Sequence, residues 1–117
     1  MLSSVALEHV SMPRNVGPLA EATHVGRVGE QGSGPYMTLW FVLEGDRITR
    51  AAYQTYGCPS AIACGSMTAT LLQGRTRDQA LLLTAGDLVL VLGGIPEGKE
   101  HCAQMAVQAV RGALGEH

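Results

Sequence analysis

The spacing of apolar and polar positions changes character once along this chain, at Gly57. Before that point the pattern is strand-like. Tyr36 to Leu43 is a run of β-branched, aromatic and aliphatic residues, apolar on both faces, and predicts a central strand. Gly45-Asp46, set between Glu44 and Arg47, is a two-residue hairpin signal with glycine first, as a type II′ turn prefers. The returning strand then runs from Arg47 or Ile48 to Tyr56. Thr23 to Gly29 is a candidate first strand, weakened by its glycines. Ahead of it, Ser3 or Ser4 to Val10 predicts a short helix with a serine cap and Val5, Ala6, Leu7 and Val10 as apolar positions. Pro13 ends that helix, and Pro13 to Pro18 reads as an ordered connector.

After Gly57 the pattern is helical. Pro59 suits a first helical position, and Gly74 stops the run that reaches Gln73. Thr76 with Gln79 forms a capping box for a helix through Leu83, and Thr84 to Leu92 is a further short helix closed by Gly93-Gly94 and Pro96. The last helix begins near Glu100 or His101 and reaches about Leu114. Its polar stripe is Gln104, Gln108 and Arg111; its other faces are apolar, so it belongs in the core. Strands first and helices after predict an α+β fold, an antiparallel sheet covered by helices.

Composition narrows the function classes. The 117 residues suit one domain spanning 1–117, and 46% hydrophobic against 15% charged residues argues for a packed core. A net charge of -2, with Lys99 as the sole lysine, gives nothing to neutralise a run of phosphates, so no nucleic-acid or membrane partner is expected. No cationic start with a long apolar run is present, and Gly93-Gly94 breaks the longest apolar stretch. Three cysteines without a leader suggest a reducing compartment, hence free thiols and a cytoplasmic location.

Chemistry concentrates at two strand-to-helix or loop-to-helix junctions, which are expected to meet in space. Cys58 precedes Pro59, so it would cap a helix beside unpaired N–H groups, a setting that favours the thiolate. The alternative is a small buried residue at a tight turn. His101-Cys102 repeats the arrangement at another helix start and offers a borderline and a soft ligand, as zinc and iron–sulfur centres use. Cys64 lies six residues beyond Cys58, about 9 Å along a helix. It shares a face with Met67 and Leu71, which reads as core. A cysteine–histidine dyad of Cys58 with His101 lacks an orienting partner, and there is no Gly-rich phosphate loop. His9, His24 and His117 have no ligand-like spacing and read as surface residues.

These motifs, taken together, resemble the NifU/IscU-type scaffold proteins of iron–sulfur cluster assembly over nearly the whole chain. Pro13-Arg14-Asn15-Val16-Gly17 is similar to that family's N-terminal signature. Tyr56 to Ala63 is similar to its second-cysteine motif, and Gly93-Gly94-Ile95-Pro96 through Lys99-Glu100-His101-Cys102 to its third. The resemblance implies a three-stranded antiparallel sheet packed against helices, with a cluster site at one exposed end. It implies a binding protein rather than an enzyme, one that takes sulfur from a cysteine desulfurase, takes up iron, builds a [2Fe–2S] cluster and passes it to apo-proteins; several members bind zinc in the same site. Cys58 and Cys102 would be ligands, His101 a third ligand or close neighbour, and Lys99 the adjacent basic residue.

The chain also departs from the family. Where the family has a Cys-Gly-Asp loop, this sequence reads Ser33-Gly34-Pro35, and a serine hydroxyl is a poor cluster ligand beside a thiolate. Pro96-Glu97-Gly98 differs from the double-proline form that chaperones recognise in relatives. Two completions of the ligand set follow: Cys64 replaces the loop cysteine, or a homodimer supplies the missing group. Three readings stay open at this stage: a cluster scaffold or carrier, a zinc-held sulfur acceptor that receives persulfide sulfur, and a docking module without metal.

Overall fold

The structure, a computed structural model, describes residues 2–12, 15–30, 32 and 34–115. Pro13, Arg14, Ser33 and His117, which enter the sequence reading, lie outside the described residues. The elements run α1 (Ser4–Ser11), β1 (His24–Val28), β2 (Tyr36–Glu44), β3 (Arg47–Tyr56), α2 (Pro59–Leu72), α3 (Arg77–Leu81), α4 (Ala85–Val91) and α5 (Glu100–Leu114). The three strands form one antiparallel sheet in the order β1-β2-β3, so the strand that is apolar on both faces is the central one.

The hairpin forms where Gly45-Asp46 places it. Gly45 takes φ 64°, the positive value that a glycine-first turn requires. Pairing slips by one residue just beyond the turn: Leu43 faces Ile48 and Val42 faces Arg50, which leaves Thr49 as the extra residue of a bulge. Leu39, Phe41, Ile48, Ala51 and Tyr53 project from the sheet into a core completed by Leu72, Val107, Val110 and Leu114. Strand alternation sends Trp40 and Ala52 to the opposite face, where Leu19 covers them. The connector also closes the free edge of β3, since Gly17 N–H donates to the Tyr53 carbonyl at 2.7 Å and Tyr53 N–H donates to that of Asn15 at 2.9 Å. This second, smaller core had no counterpart in the sequence reading.

Helix α5 buries every face except the stripe that carries His101, Gln104, Gln108 and Arg111. Its closeness to the sheet depends on Gly26 of β1, where an added Cβ would run into the carbonyl of Ala109 and lie 2.8 Å from the Ala113 nitrogen. The glycine that weakened β1 as a strand signal is therefore what lets α5 seat. Both short helices begin with reciprocal capping boxes, Thr76 with Gln79 as expected and Thr84 with Asp87 in addition. Thr76→Ala is expected to lower stability by about 1 kcal/mol, and chemical denaturation measures it directly.

His9 corrects the sequence reading. It is buried, 2% exposed, and its Nδ1 sits 2.7 Å from the Ser66 hydroxyl between α1 and α2. A histidine inside an otherwise amphipathic turn gives no periodic signal of burial; a specific polar partner on the neighbouring helix compensates its desolvation here.

Candidate metal centre

The site forms where β3 hands over to α2 and where the loop after α4 hands over to α5. Cys58 is the N-cap of α2, extended at φ -83° and ψ 172°, with Pro59 in the first turn. Lys99 is the N-cap of α5, so His101 and Cys102 occupy its first turn. The fold brings the two junctions together: Cys58 Sγ lies 3.7 Å from Cys102 Sγ, and His101 Nε2 lies 3.6 Å from the same Cys102 sulfur. A tetrahedral ion with metal–sulfur bonds of about 2.3 Å sets two thiolates about 3.75 Å apart, and a sulfur and an imidazole nitrogen about 3.5 Å apart. Both of these edges thus suit a metal. The three side chains do not yet converge on one point, since no group of three or more metal-binding side chains does so among the described residues. Cys102 is held by the core at 1% exposure, whereas His101 is exposed and able to turn.

Around these groups lies a cleft of about 130 Å³, lined by Pro35, Gly57, Cys58, Ala61, Lys99, His101, Cys102 and Met105. Ligand pockets for organic molecules start near 300 Å³, so this space suits an inorganic core of a few atoms. Pro35 brings the loop that holds the serine-for-cysteine exchange to the rim, although Ser33 itself lies outside the described residues. Met105 was missed in the sequence; it sits four residues after His101, one helical turn along the same face. A larger hollow of about 440 Å³ lies against Gly32, Gly34, Tyr36 and Tyr56, and these residues offer no thiol or imidazole.

The three thiols differ sharply in chemistry. Burial pushes the Cys58 thiol up, but the N–H groups of Ala61 and Ser60, the Cys102 thiol and the Lys99 charge outweigh it and leave it below its ordinary value. Cys102 is pushed up to about 12 by burial and then by Cys58, against a smaller opposing effect of Lys99. Deeper burial of Cys102, and then the hydrogen bond between the two sulfurs, splits the pair and leaves Cys58 the readier thiolate. Cys64 is fully buried among Ala61, Ala63, Met37, Leu88 and Cys102, outside the cleft lining, and burial followed by the charges of Cys102 and Cys58 pushes it up to about 12. Its packing is that of the core reading.

The Cys64 environment sets a pH dependence. The unfolded chain releases this proton near 9.0 and the folded chain holds it to about 12. Folded protein therefore binds more protons across that window, and stability is full below pH 9 and declines as pH rises toward 12. Melting curves from pH 7 to 11 are expected to fall less steeply above pH 9 for Cys64→Ala than for wild type.

The NifU-like N terminal domain model matches residues 1–117. The chain belongs to that family. It is 37% identical over 117 residues to iron-sulfur cluster assembly scaffold protein IscU 1 of Archaeoglobus fulgidus, covering all of this chain and 76% of that protein. It is 36% identical over 113 residues to the IscU scaffold protein of Aquifex aeolicus, covering 95% of this chain and 72% of the relative. Among solved structures, a putative iron-sulfur cluster assembly scaffold protein for the SUF system from Fervidobacterium islandicum superposes with a TM-score of 0.73 over 96% of this chain and 95% of that one, at 18% identity. The N-terminal NifU-like protein of Brucella abortus gives 0.59 over 93% of this chain and 76% of its own, at 24% identity. The sheet order and the helices laid on it are thus those of the NifU-like fold. No helix among the described residues is long and apolar enough to cross a membrane.

Proposed function

We propose that this chain is an iron–sulfur cluster assembly scaffold, a binding protein without turnover of its own, whose cargo is iron and a [2Fe–2S] cluster. The observation that carries the reading is the contact of Cys58 and Cys102 at 3.7 Å in a small open cleft. Cys58 supplies the ready thiolate, Cys102 a sulfur fixed by the core, and His101 a third donor once its ring turns toward the pair. Lys99, beside the pair, offsets the negative charge that two thiolates and sulfide bring. The cluster is assembled from iron and sulfur and leaves for an acceptor, so an incompletely closed ligand set at an open cleft suits cargo better than a sealed site. On this reading a cysteine desulfurase supplies sulfur, apo-proteins receive the cluster, and the single domain works in the cytoplasm.

A second reading, a zinc-held sulfur acceptor, is favoured by one feature: the mixed Cys102–His101 edge of 3.6 Å suits a zinc site with sulfur and nitrogen donors. Anaerobic titration of the reduced chain with zinc(II) and iron(II), read by equilibrium dialysis, tests the site itself. One zinc ion per chain, lost in Cys58→Ala and retained in Cys64→Ser, is expected. Metal retained in Cys58→Ala would sink both readings, and metal lost in Cys64→Ser would return Cys64 to the ligand set.

A further inference from the structure

The same two sulfurs carry a chemistry that needs no metal. They lie in van der Waals contact, 3.7 Å apart, and differ in access: Cys58 is half-buried at the mouth of the cleft, whereas Cys102 is 1% exposed behind it. A reagent arriving from solvent meets Cys58 first and has Cys102 directly behind. The approach from 3.7 Å to a bond of about 2.05 Å falls on Cys58, a non-helical cap residue that follows Gly57, while Cys102 stays fixed in the first turn of α5. An accessible sulfur on a non-helical cap in front of a buried sulfur within a helix is the arrangement of an attacking and a resolving thiol.

We propose that Cys58 and Cys102 form a two-electron dithiol/disulfide couple that reduces electrophilic sulfur, presented either as a low-molecular-weight disulfide or as a persulfide. With a disulfide R–S–S–R, the Cys58 thiolate attacks one sulfur and releases RS⁻, leaving Cys58–S–S–R. Cys102 then attacks the Cys58 sulfur, its proton leaves with the second R–SH, and the Cys58–Cys102 bridge closes. With a persulfide R–S–SH, Cys58 takes the outer sulfur and releases RS⁻. Attack by Cys102 on the Cys58 sulfur then expels that outer atom as H₂S. In both cases the two thiols lose the two electrons that the electrophile gains. The persulfide route would deliver sulfide into the cleft where the scaffold reading places iron. The bridge removes both thiolates, so the oxidised chain cannot hold metal through them until a dithiol reductant reopens it.

The test uses the reduced, chelator-treated chain under anaerobic conditions, with glutathione disulfide in one arm and glutathione persulfide in the other. Wild type is expected to end two hydrogens lighter, with the bridge mapped to Cys58 and Cys102 by peptide mass. It should release two equivalents of glutathione in the first arm, and one each of glutathione and sulfide in the second. Cys102→Ser, checked for native circular dichroism, should stop at the Cys58 adduct, with glutathione in the first arm falling from two equivalents to one and sulfide absent from the second. Stable adducts on wild type, a bridge through Cys64, or a bridge between two chains would each overturn the proposal. So would undiminished zinc binding by the bridged chain. Because iron plays no part, failure here is distinguishable from failure of cluster assembly: either assay can succeed without the other.

Discussion

Gly26→Ala is expected to destabilise the fold by about 3 kcal/mol or more, with a fall in Tm of roughly 10–15 °C. The added methyl meets the Ala109 carbonyl and lies within 2.8 Å of the Ala113 nitrogen, both backbone atoms of α5, so no side-chain rotation relieves the clash. The helix must lift from β1 or the strand must bow away from it. Either response loosens contacts in the core formed by Leu39, Phe41, Val107, Val110 and Leu114. The consequence reaches the site, because α5 carries His101 and Cys102 at its other end. Thermal unfolding of the variant measures the effect; a Tm within about 2 °C of wild type would mean that α5 has slack the packing does not suggest.

Cys102→Ala should act in the opposite sense, sparing the fold and removing the metal. The change deletes one sulfur from a site edged by an open cleft, so Tm is expected to move only a few degrees. Metal affinity should fall by at least about 100-fold, since only one thiolate and an exposed imidazole remain. His101→Ala should cost less, about 10-fold, because the ring is exposed and water can take its place. Competition of each variant with a chromophoric zinc chelator gives both numbers. Equal losses in the two variants would make His101 a full ligand rather than a subsidiary one.

Much of this arrangement was legible in the residues because the signals were local. Proline after Cys58 marks a helix start, and Gly45-Asp46 marks a hairpin. The Gln104, Gln108 and Arg111 stripe marks which side of α5 faces water. The meeting of Cys58 with His101-Cys102 was also expected, from two similar helix starts, and the fold places the sulfurs in contact. What escaped depended on long-range packing. Gly26 reads as a poor strand residue until α5 lies against it. His9 reads as a surface histidine until Ser66, 57 residues away, supplies its partner. Leu19 gives no sign in sequence that it covers Trp40 and Ala52 on the far side of the sheet. Cys64 stood open between ligand and core, and its burial outside the cleft lining is what the core reading expects.

A cluster is expected to form at Cys58 and Cys102 despite the serine at position 33. Anaerobic reconstitution of the reduced chain with iron and sulfide, on wild type and Cys58→Ala, tests that most directly. The expected result is iron and acid-labile sulfide in equal amounts, with visible sulfur-to-iron charge-transfer bands that the variant lacks. Zinc alone, or a wild type and variant that both stay colourless, would contradict it.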